Sequence, residues 1–435
     1  MGIQYQSVDA GASLTGFDVA IIGREALTLG GQGLDVTHVR NGLKVIVFEQ
    51  TSEVLEKRFG FRVQEYGLRR VYQRMTDHPA MAGLDGENLH DWQGAATLLS
   101  PQLRYETNDN QFSGSPTVRW CDIPVTRIWR CGNRGNVASV LIEKPACGDF
   151  LPIVDGGFSL QYSPLMEYRE GKGMIMFCQM DVTGRTEKDP AAERLAANLI
   201  AYVSGWKPEI KRKAMYAGEA AGKSHLEKSG VAVLPYAHKK LSPEQVLIVG
   251  PGGNQQLMSD KKEIGRFIAD GGRMLAIGLD QEEISSILPF KVGMKKEEHI
   301  SAWFEAMKVN SPFAGIGPAD VHNRAPKEVS LVTSDARIVG NGVLAASDQA
   351  NVVFCQLAPW QLDYSGEQHN IKQTFRRSSF LLSRLAGNLG VENPTALIGR
   401  FSQPVVDGKA EKRWLDGLYL DQPEEWDDPY RFFRW

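Results

Sequence analysis

Two stretches of the chain carry the same three residues: "GMIMFCQMD" (Gly173 to Asp181) and "NVVFCQLAP" (Asn351 to Pro359). With five cysteines in 435 residues, two Phe-Cys-Gln settings imply either a chemical motif used twice or a repeated domain. The surroundings favour the repeat. Upstream of the second copy, "KAMYAG", the short helical "KSHLEKSG", "VAVLPY", "QVLIVG", the amphipathic "KKEIGRFIADGG" and "RMLAIG" alternate strand and helix patterns. That alternation predicts a mostly parallel sheet covered by helices. Upstream of the first copy, "IQYQSV", "DVAIIG", the helical "LDVTHVRNG" and "LKVIVFE" follow the same order. Ile3 to Asp18 spans 15 residues and Val231 to Gln245 spans 14. "DHPAMAGLDGENLHDW" answers "NSPFAGIGPADVHNR", and both Phe-Cys-Gln strands run into helices, "DPAAERLAANLIAYVSGW" and "NIKQTFRRSSFLLSRLAGNLG". The expected fold is α/β, with two doubly wound domains in tandem over residues 1–207 and 208–392.

Two asymmetries break the match. The second copy opens with a strand and a helix, "KAMYAG" and "KSHLEKSG", that the first lacks. A sheet missing its first strand exposes an apolar edge, so the strand is expected from an upstream part of a longer polypeptide or from another chain. The first copy also carries extra length: Asp77 to Phe177 spans 100 residues against 44 from Asn310 to Phe354. The excess, about residues 105–168, reads as a β-rich insertion.

The composition is that of a globular protein long enough for two or three domains, 42% hydrophobic and 23% charged. A formal net charge of -3 and no basic tract give no electrostatic reason to expect nucleic acid or an anionic membrane as partner. The opening residues lack the charged and apolar regions of a signal peptide, and no run reaches bilayer length. Cys178 and Cys355 sit in apolar runs, where a thiol acts as a small hydrophobe, and Cys121, Cys131 and Cys147 match no zinc spacing. No metal or cofactor is expected.

"DVAIIGREAL", "LKVIVFEQTSEVL", "DHPAMAGL" and above all the hairpin "SPLMEYREGKGMIMF" give the chain a family resemblance. It is similar to class I glutamine amidotransferase-like domains of flavodoxin-like fold, in particular the non-catalytic versions in ThuA-like proteins and the trimerisation domain of bacterial β-galactosidases. The order of elements and the closing "EEWDDPYRFFRW" resemble the C-terminal end of large bacterial family 2-type, sugar-binding glycoside hydrolases. The resemblance implies a parent protein that is periplasmic or secreted. Its catalytic relatives carry a nucleophilic cysteine on the turn after the strand matching "LKVIVF", with a histidine and a carboxylate following the later strand. Here those turns read Glu49-Gln50-Thr51-Ser52 and Gly278-Leu279-Asp280-Gln281, and no His-x-Glu follows either Phe-Cys-Gln. Glutamine hydrolysis is therefore not expected. Glu49 itself reads most simply as a carboxylate at a helix N-terminus.

The ligand-binding candidates follow from position. Gln179, Asp181, Gln356 and Trp360 fall where strands end, which is where parallel sheets bind ligands. The competing reading for the glutamines is a hydrogen bond to a neighbouring loop. In the insertion, Trp120, Arg127, Trp129, Arg130, Asn133 and Arg134 gather ring faces and planar donors suited to sugars or to an interdomain contact. Asp122, Glu143, Asp149, Asp155 and Glu167 offer carboxylates for a glycosidase pair only if two lie at the right separation. "GEAAGKS" is one residue short of a phosphate-binding loop. His90 and His322 occupy matching places in the repeat. Residues 393–435 form a tail with seven aromatic residues from Trp414 to Trp435, expected to dock on a neighbouring domain.

These readings add up to a non-catalytic accessory or assembly region of a carbohydrate-active enzyme, partnered by upstream domains or another subunit and possibly by carbohydrate. The alternatives are a hydrolase working through the insertion and a stand-alone carbohydrate-binding module.

Overall fold

The computed structural model describes residues 4–98, 107–108, 117–126, 133–238, 240–325, 327–349, 351–366, 368–405 and 418. Two mixed sheets, each with a parallel portion, make up the bulk of the molecule. The first has eight strands: β1 (Val19–Ile22), β2 (Lys44–Val47), β3 (Val63–Leu68), β4 (Tyr72–Gln73), β5 (Ala138–Glu143), β6 (Phe150–Gly156), β7 (Tyr162–Glu170) and β8 (Gly173–Cys178). Their spatial order is β1-β2-β8-β7-β5-β3, with β6 pairing β7 and β4. β1, β2 and β8 are parallel, and β7 returns antiparallel beside β8. The runs "KVIV" and "GMIMFC" are apolar without alternation because both faces of the sheet are covered. Helix α1 (Pro190–Gly205) covers one face through Leu195, Leu199 and Val203. Its start is fixed by Asp189, whose side chain accepts from the Ala191 and Ala192 amides at 2.9 and 3.2 Å, and by proline at the first helical position.

The second sheet has seven strands: β9 (Lys213–Ala217), β10 (Val233–Pro235), β11 (Gln245–Val249), β12 (Arg273–Ile277), β13 (Arg337–Val339), β14 (Leu344–Ala346) and β15 (Val352–Cys355). The order is β10-β9-β11-β12-β15-β14-β13, parallel up to β15 and antiparallel beyond it. Helix α2 (Ala220–Lys228) packs Leu226 on one face, and α3 (Lys261–Ala269) and α4 (Gln281–Ile287) cover the other. β15 runs on to α5 (His369–Asn388), a 20-residue helix with both sides committed. Phe375 and Phe380 join the core of the first sheet, while Leu381, Leu382, Leu385 and Ala386 join that of the second.

Three expectations change here. Residues 4–8, expected as a strand, have no regular structure and are exposed, since a run with Gln4 and Gln6 offers little apolar surface to bury. The predicted helix "LDVTHVRNG" is reduced to a five-residue 3-10 turn, Thr37–Asn41, closed by Gly42 in the left-handed region (φ 119°). Much of the expected insertion is internal to the sheet: β5, β6 and most of β7 lie within residues 105–168, and nearly every residue of the three is buried. Of the expected tail, residues 393–405 and Leu418 are described, and Leu397, Ile398, Phe401 and Leu418 are buried in the first core; the seven aromatic residues from Trp414 to Trp435 lie outside the described residues.

The two halves meet through buried charge. Glu143 pairs with Arg62 at 2.7 Å and accepts from Arg376 of α5 at 2.9 Å. Asp149 pairs with Lys211 at 2.7 Å and with Arg384 of α5 at 2.8 Å. Lys144 reaches Asp320 at 2.8 Å, and Arg74 binds both Asp155 and Asp320. No described helix is long and apolar enough to cross a membrane.

Candidate functional site

The carboxyl ends of β2 and β8 lie side by side, because Val47 is in register with Phe177. Glu49 and Gln50 therefore face Gln179 and Asp181 across a short gap. Gln50 N donates to Gln179 Oε1 and Gln179 Nε2 donates to Gln50 O, both at 2.9 Å. The same Nε2 reaches the Val140 carbonyl of β5 at 3.5 Å, so one side chain clasps the turn to two strands. Gln50 in turn binds Leu27 N at 3.1 Å, Gly23 O at 2.8 Å and Phe48 O at 2.6 Å.

Glu49 is fully buried. It does not cap a helix, as the sequence suggested, but reaches the loop after β8. Its Oε1 accepts from Thr183 N at 2.7 Å and its Oε2 from Thr183 Oγ1 at 2.6 Å. Burial pushes its carboxyl up to about 7 against the pull of the Thr183 bonds, and Asp181 adds to the rise. Asp181 is likewise fully buried, accepting from Ser139 Oγ at 2.7 Å and Thr97 Oγ1 at 3.2 Å. Burial lifts it to about 6, opposed by Ser139 and the Arg185 guanidinium. Arg185 is held by the carbonyls of Trp92, Gln93 and Asn136. Two carboxyl groups here hold or release protons near neutrality, yet every oxygen already has a partner inside the protein.

The second sheet repeats the clasp at matching places. With its amide turned to satisfy both groups, Gln356 Nε2 donates to Leu279 O at 3.2 Å and Ser330 O at 3.3 Å. Gln356 N donates to Val343 O, as Gln179 N does to Pro164 O. Both cysteines are buried, with Sγ toward the carbonyl two residues on: Met180 for Cys178 and Leu357 for Cys355. Burial raises both thiols, Cys355 to about 12, so neither forms a thiolate at neutral pH. Asp280 is spent as a helix cap, accepting from the Glu282 and Glu283 amides at 3.0 Å.

The remaining candidates scatter. Trp360 Nε1 donates to Glu219 Oε1 at 2.5 Å. Glu219 stands at the N-terminus of α2, and the side chains of Tyr216 and Trp360 fill the space above Gly222, so the place a phosphate would take in "GEAAGKS" is occupied. Arg134 is exposed; Trp129 and Arg130 lie outside the described residues. Asp122 is exposed, and the other four carboxylates of the supposed glycosidase pair are buried in ion pairs. Glu143, Asp149 and Asp155 hold the interdomain charges, and Glu167 binds His78 and Arg169 at 2.7 and 2.6 Å. His90 lies half-buried beside Glu87 and Asp91, whereas His322 lies against Arg377. Among the described residues no three His, Cys, Asp or Glu side chains gather to hold a metal. A polar cleft of about 280 Å³ opens at the amino ends of β12 and β15, with Arg169, Arg273, Asn351 and Asn388 in its wall. Sequence reading missed Ser139, Thr97, Thr183 and Arg185. Only the nearness of Thr183 and Arg185 to Asp181 hinted at them.

No family model and no curated protein sequence matches the chain. Among solved structures it is similar to PurLQS from Thermotoga maritima, at 12% identity and a TM-score of 0.27, covering 41% of this chain and 99% of that one. A putative GMP synthase subunit from Thermoplasma acidophilum gives 12% identity and a TM-score of 0.27, covering 42% and 96%. At those scores neither likeness carries an argument about this chain. They do correct the expected relatives: both are of glutamine amidotransferase type, not β-galactosidase trimerisation domains or glycoside hydrolase C-terminal regions. The hairpin and glycine turns on which the narrower resemblance rested occur wherever a strand doubles back beside a parallel sheet, so they do not discriminate among such proteins. What stands is a mixed α/β fold with parallel sheets.

Proposed function

We propose that this chain is a non-catalytic accessory or assembly region, built by tandem duplication of a flavodoxin-like, amidotransferase-like unit. The observation that carries this reading is the paired clasp, Gln179 on the Gln50 carbonyl and Gln356 on the Leu279 carbonyl. At the turns where catalytic relatives present a nucleophile, each half ties its own backbone shut. The order β1-β2-β8-β7 in the first sheet also parallels β11-β12-β15-β14 in the second. The partner is an upstream domain or another subunit. Support for that comes from the outer side of β1, which carries no strand among the described residues and leaves Ile21 46% exposed, whereas the matching side of β11 is covered by β9 and β10.

The deciding experiment is a glutaminase assay of the intact chain. The expected result is no ammonia release from glutamine above the rate in buffer. Release that disappears in Cys178→Ala or Cys355→Ala would overturn the reading.

A further inference from the structure

The cleft of about 280 Å³ at the amino ends of β12 and β15 is walled by both halves of the molecule. Leu151 of β6 and Arg169 of β7 come from the first; Arg273 opens β12, Asn351 precedes β15 and Asn388 ends α5. Clefts between packed units are preferred places for ligands. Two guanidinium groups are fixed here by their contacts with neighbouring residues. Glu167 Oε2 accepts from Arg169 Nε at 2.7 Å and pairs with Nη2 at 2.6 Å, while His78 Nε2 lies 2.7 Å from the other oxygen of Glu167. Arg169 Nη1 is left 3.7 Å from Glu209, another wall residue, beyond hydrogen-bond reach. Arg273 Nη1 makes a long bond of 3.5 Å to the Asn388 carbonyl, the one hydrogen bond of its side chain among the described residues. Asn388 is itself held, its Nδ2 donating to Pro312 O at 3.0 Å and to Ala314 O at 2.9 Å.

The charges around the cleft do not balance. Its buried acids are spent, Glu167 on Arg169 and Asp149 on Lys211 and Arg384. Glu209 is the one acid among the described wall residues, and its side chain is 65% exposed. Burial and the charge of nearby Arg212 hold the Arg273 guanidinium below its ordinary value, opposed by Glu209. Five cations, Arg169, Lys211, Arg212, Arg273 and Arg384, thus share three carboxylates. A doubly charged anion would make up the difference.

We propose that this cleft binds a small dianion, a phosphate group or a dicarboxylate, between Arg169 and Arg273, with the Glu209 carboxylate turning out to solvent to admit it. Planar guanidinium donors suit either group. A ligand held there touches both halves of the chain, so an accessory region gains a means of sensing a metabolite without chemistry of its own.

The test is calorimetric titration of the intact chain with inorganic phosphate and, separately, succinate, with sodium chloride at matched ionic strength as reference. The expected result is saturable binding of at least one of the two. Arg273→Gln should weaken it about tenfold, the loss of one charge-assisted contact. Glu209→Gln should tighten it about two- to threefold, because a competing surface carboxylate is gone; a residue with a merely structural role would not act in that direction. Phosphate binding alone identifies a phosphate group, succinate alone a dicarboxylate, and competition between them one site that accepts both. The proposal is overturned if neither dianion binds more than chloride does, if a folded Arg273→Gln chain binds unchanged, or if Glu209→Gln fails to tighten binding. Because Glu209 is exposed, that last arm stands even if Arg273→Gln does not fold.

Discussion

The two sheets end differently. At the first, Glu49 and Asp181 are sealed from solvent and hydrogen-bonded to Thr183, Ser139 and Thr97. At the second, Asp280 after β12 caps a helix, and a small cavity opens beside Lys327, Gln356 and Gln361. The backbone device is shared, a glutamine clasping the turn after β2 in one sheet and after β12 in the other, while the acids at those turns differ: sealed in the first, a helix cap in the second. The same backbone bonds can thus coexist with different side-chain chemistry above them.

The comparison holds only if both ends belong to one body, and the largest effect tests that. Replacing Asp149 by alanine strips fully buried Arg384 of its carboxylate and is expected to cost about 3 to 5 kcal/mol. Denaturant unfolding followed by tryptophan fluorescence and by circular dichroism should shift together; separate shifts would divide the halves.

The acid end should show itself in the pH dependence of stability. Glu49 rises from 4.5 to about 7 on folding, so the folded state binds its proton more tightly than the unfolded chain. Its contribution is complete below about pH 4.5 and is lost as pH rises through 7, an effect on the order of 3 kcal/mol. Asp181 titrates in an overlapping window, so the pair shares the slope. Urea unfolding at pH 5 and 7.5 should show the wild type losing stability relative to Glu49→Gln; parallel curves would refute the assignment.

The clasps come next. Gln179→Leu leaves both Gln50 N and Gln50 O unpartnered, for about 1 to 3 kcal/mol. Gln356→Leu, whose bonds are longer, should cost less. A reversed order in melting temperature would mean that the clasps are not equivalent.

The smallest effect has the opposite sign to that of Glu49. His322 is pushed down to about 4, so its contribution is present above the 6.5 of a free histidine and is lost as pH falls toward 4. A His322→Gln chain should lose less stability on acidification than the wild type, as read by melting temperature at pH 7 and 4.5.

Much of the frame was legible. "LKVIVFE", "QVLIVG" and the two Phe-Cys-Gln runs are apolar on both sides of the strand, a pattern only a doubly covered parallel sheet requires. The inertness of Cys178 and Cys355 was visible for the same reason. What failed was whatever depended on distant partners. "ASVLIE" and "FLPIVDG" read as parts of a β-rich insertion because nothing local says that they pair with β3 and β7 of the main sheet. Glu49 was read as a helix cap because Thr183, 134 positions away, leaves no local mark. The buried Arg377 sits in a helix whose run of arginines and serines looks like a solvated face until the first sheet is laid against it.

That helix sets how the molecule can be taken apart. From Gln373 to Gly387 every residue of α5 is buried, with aromatic side chains in one core and leucines in the other. Cutting the chain between α1 and β9 would leave the first piece without Phe375 and Phe380 and the second with both rings stripped of their cover. Neither piece should be recoverable as a soluble domain by expression on its own, whereas the two produced together should reassociate around the helix.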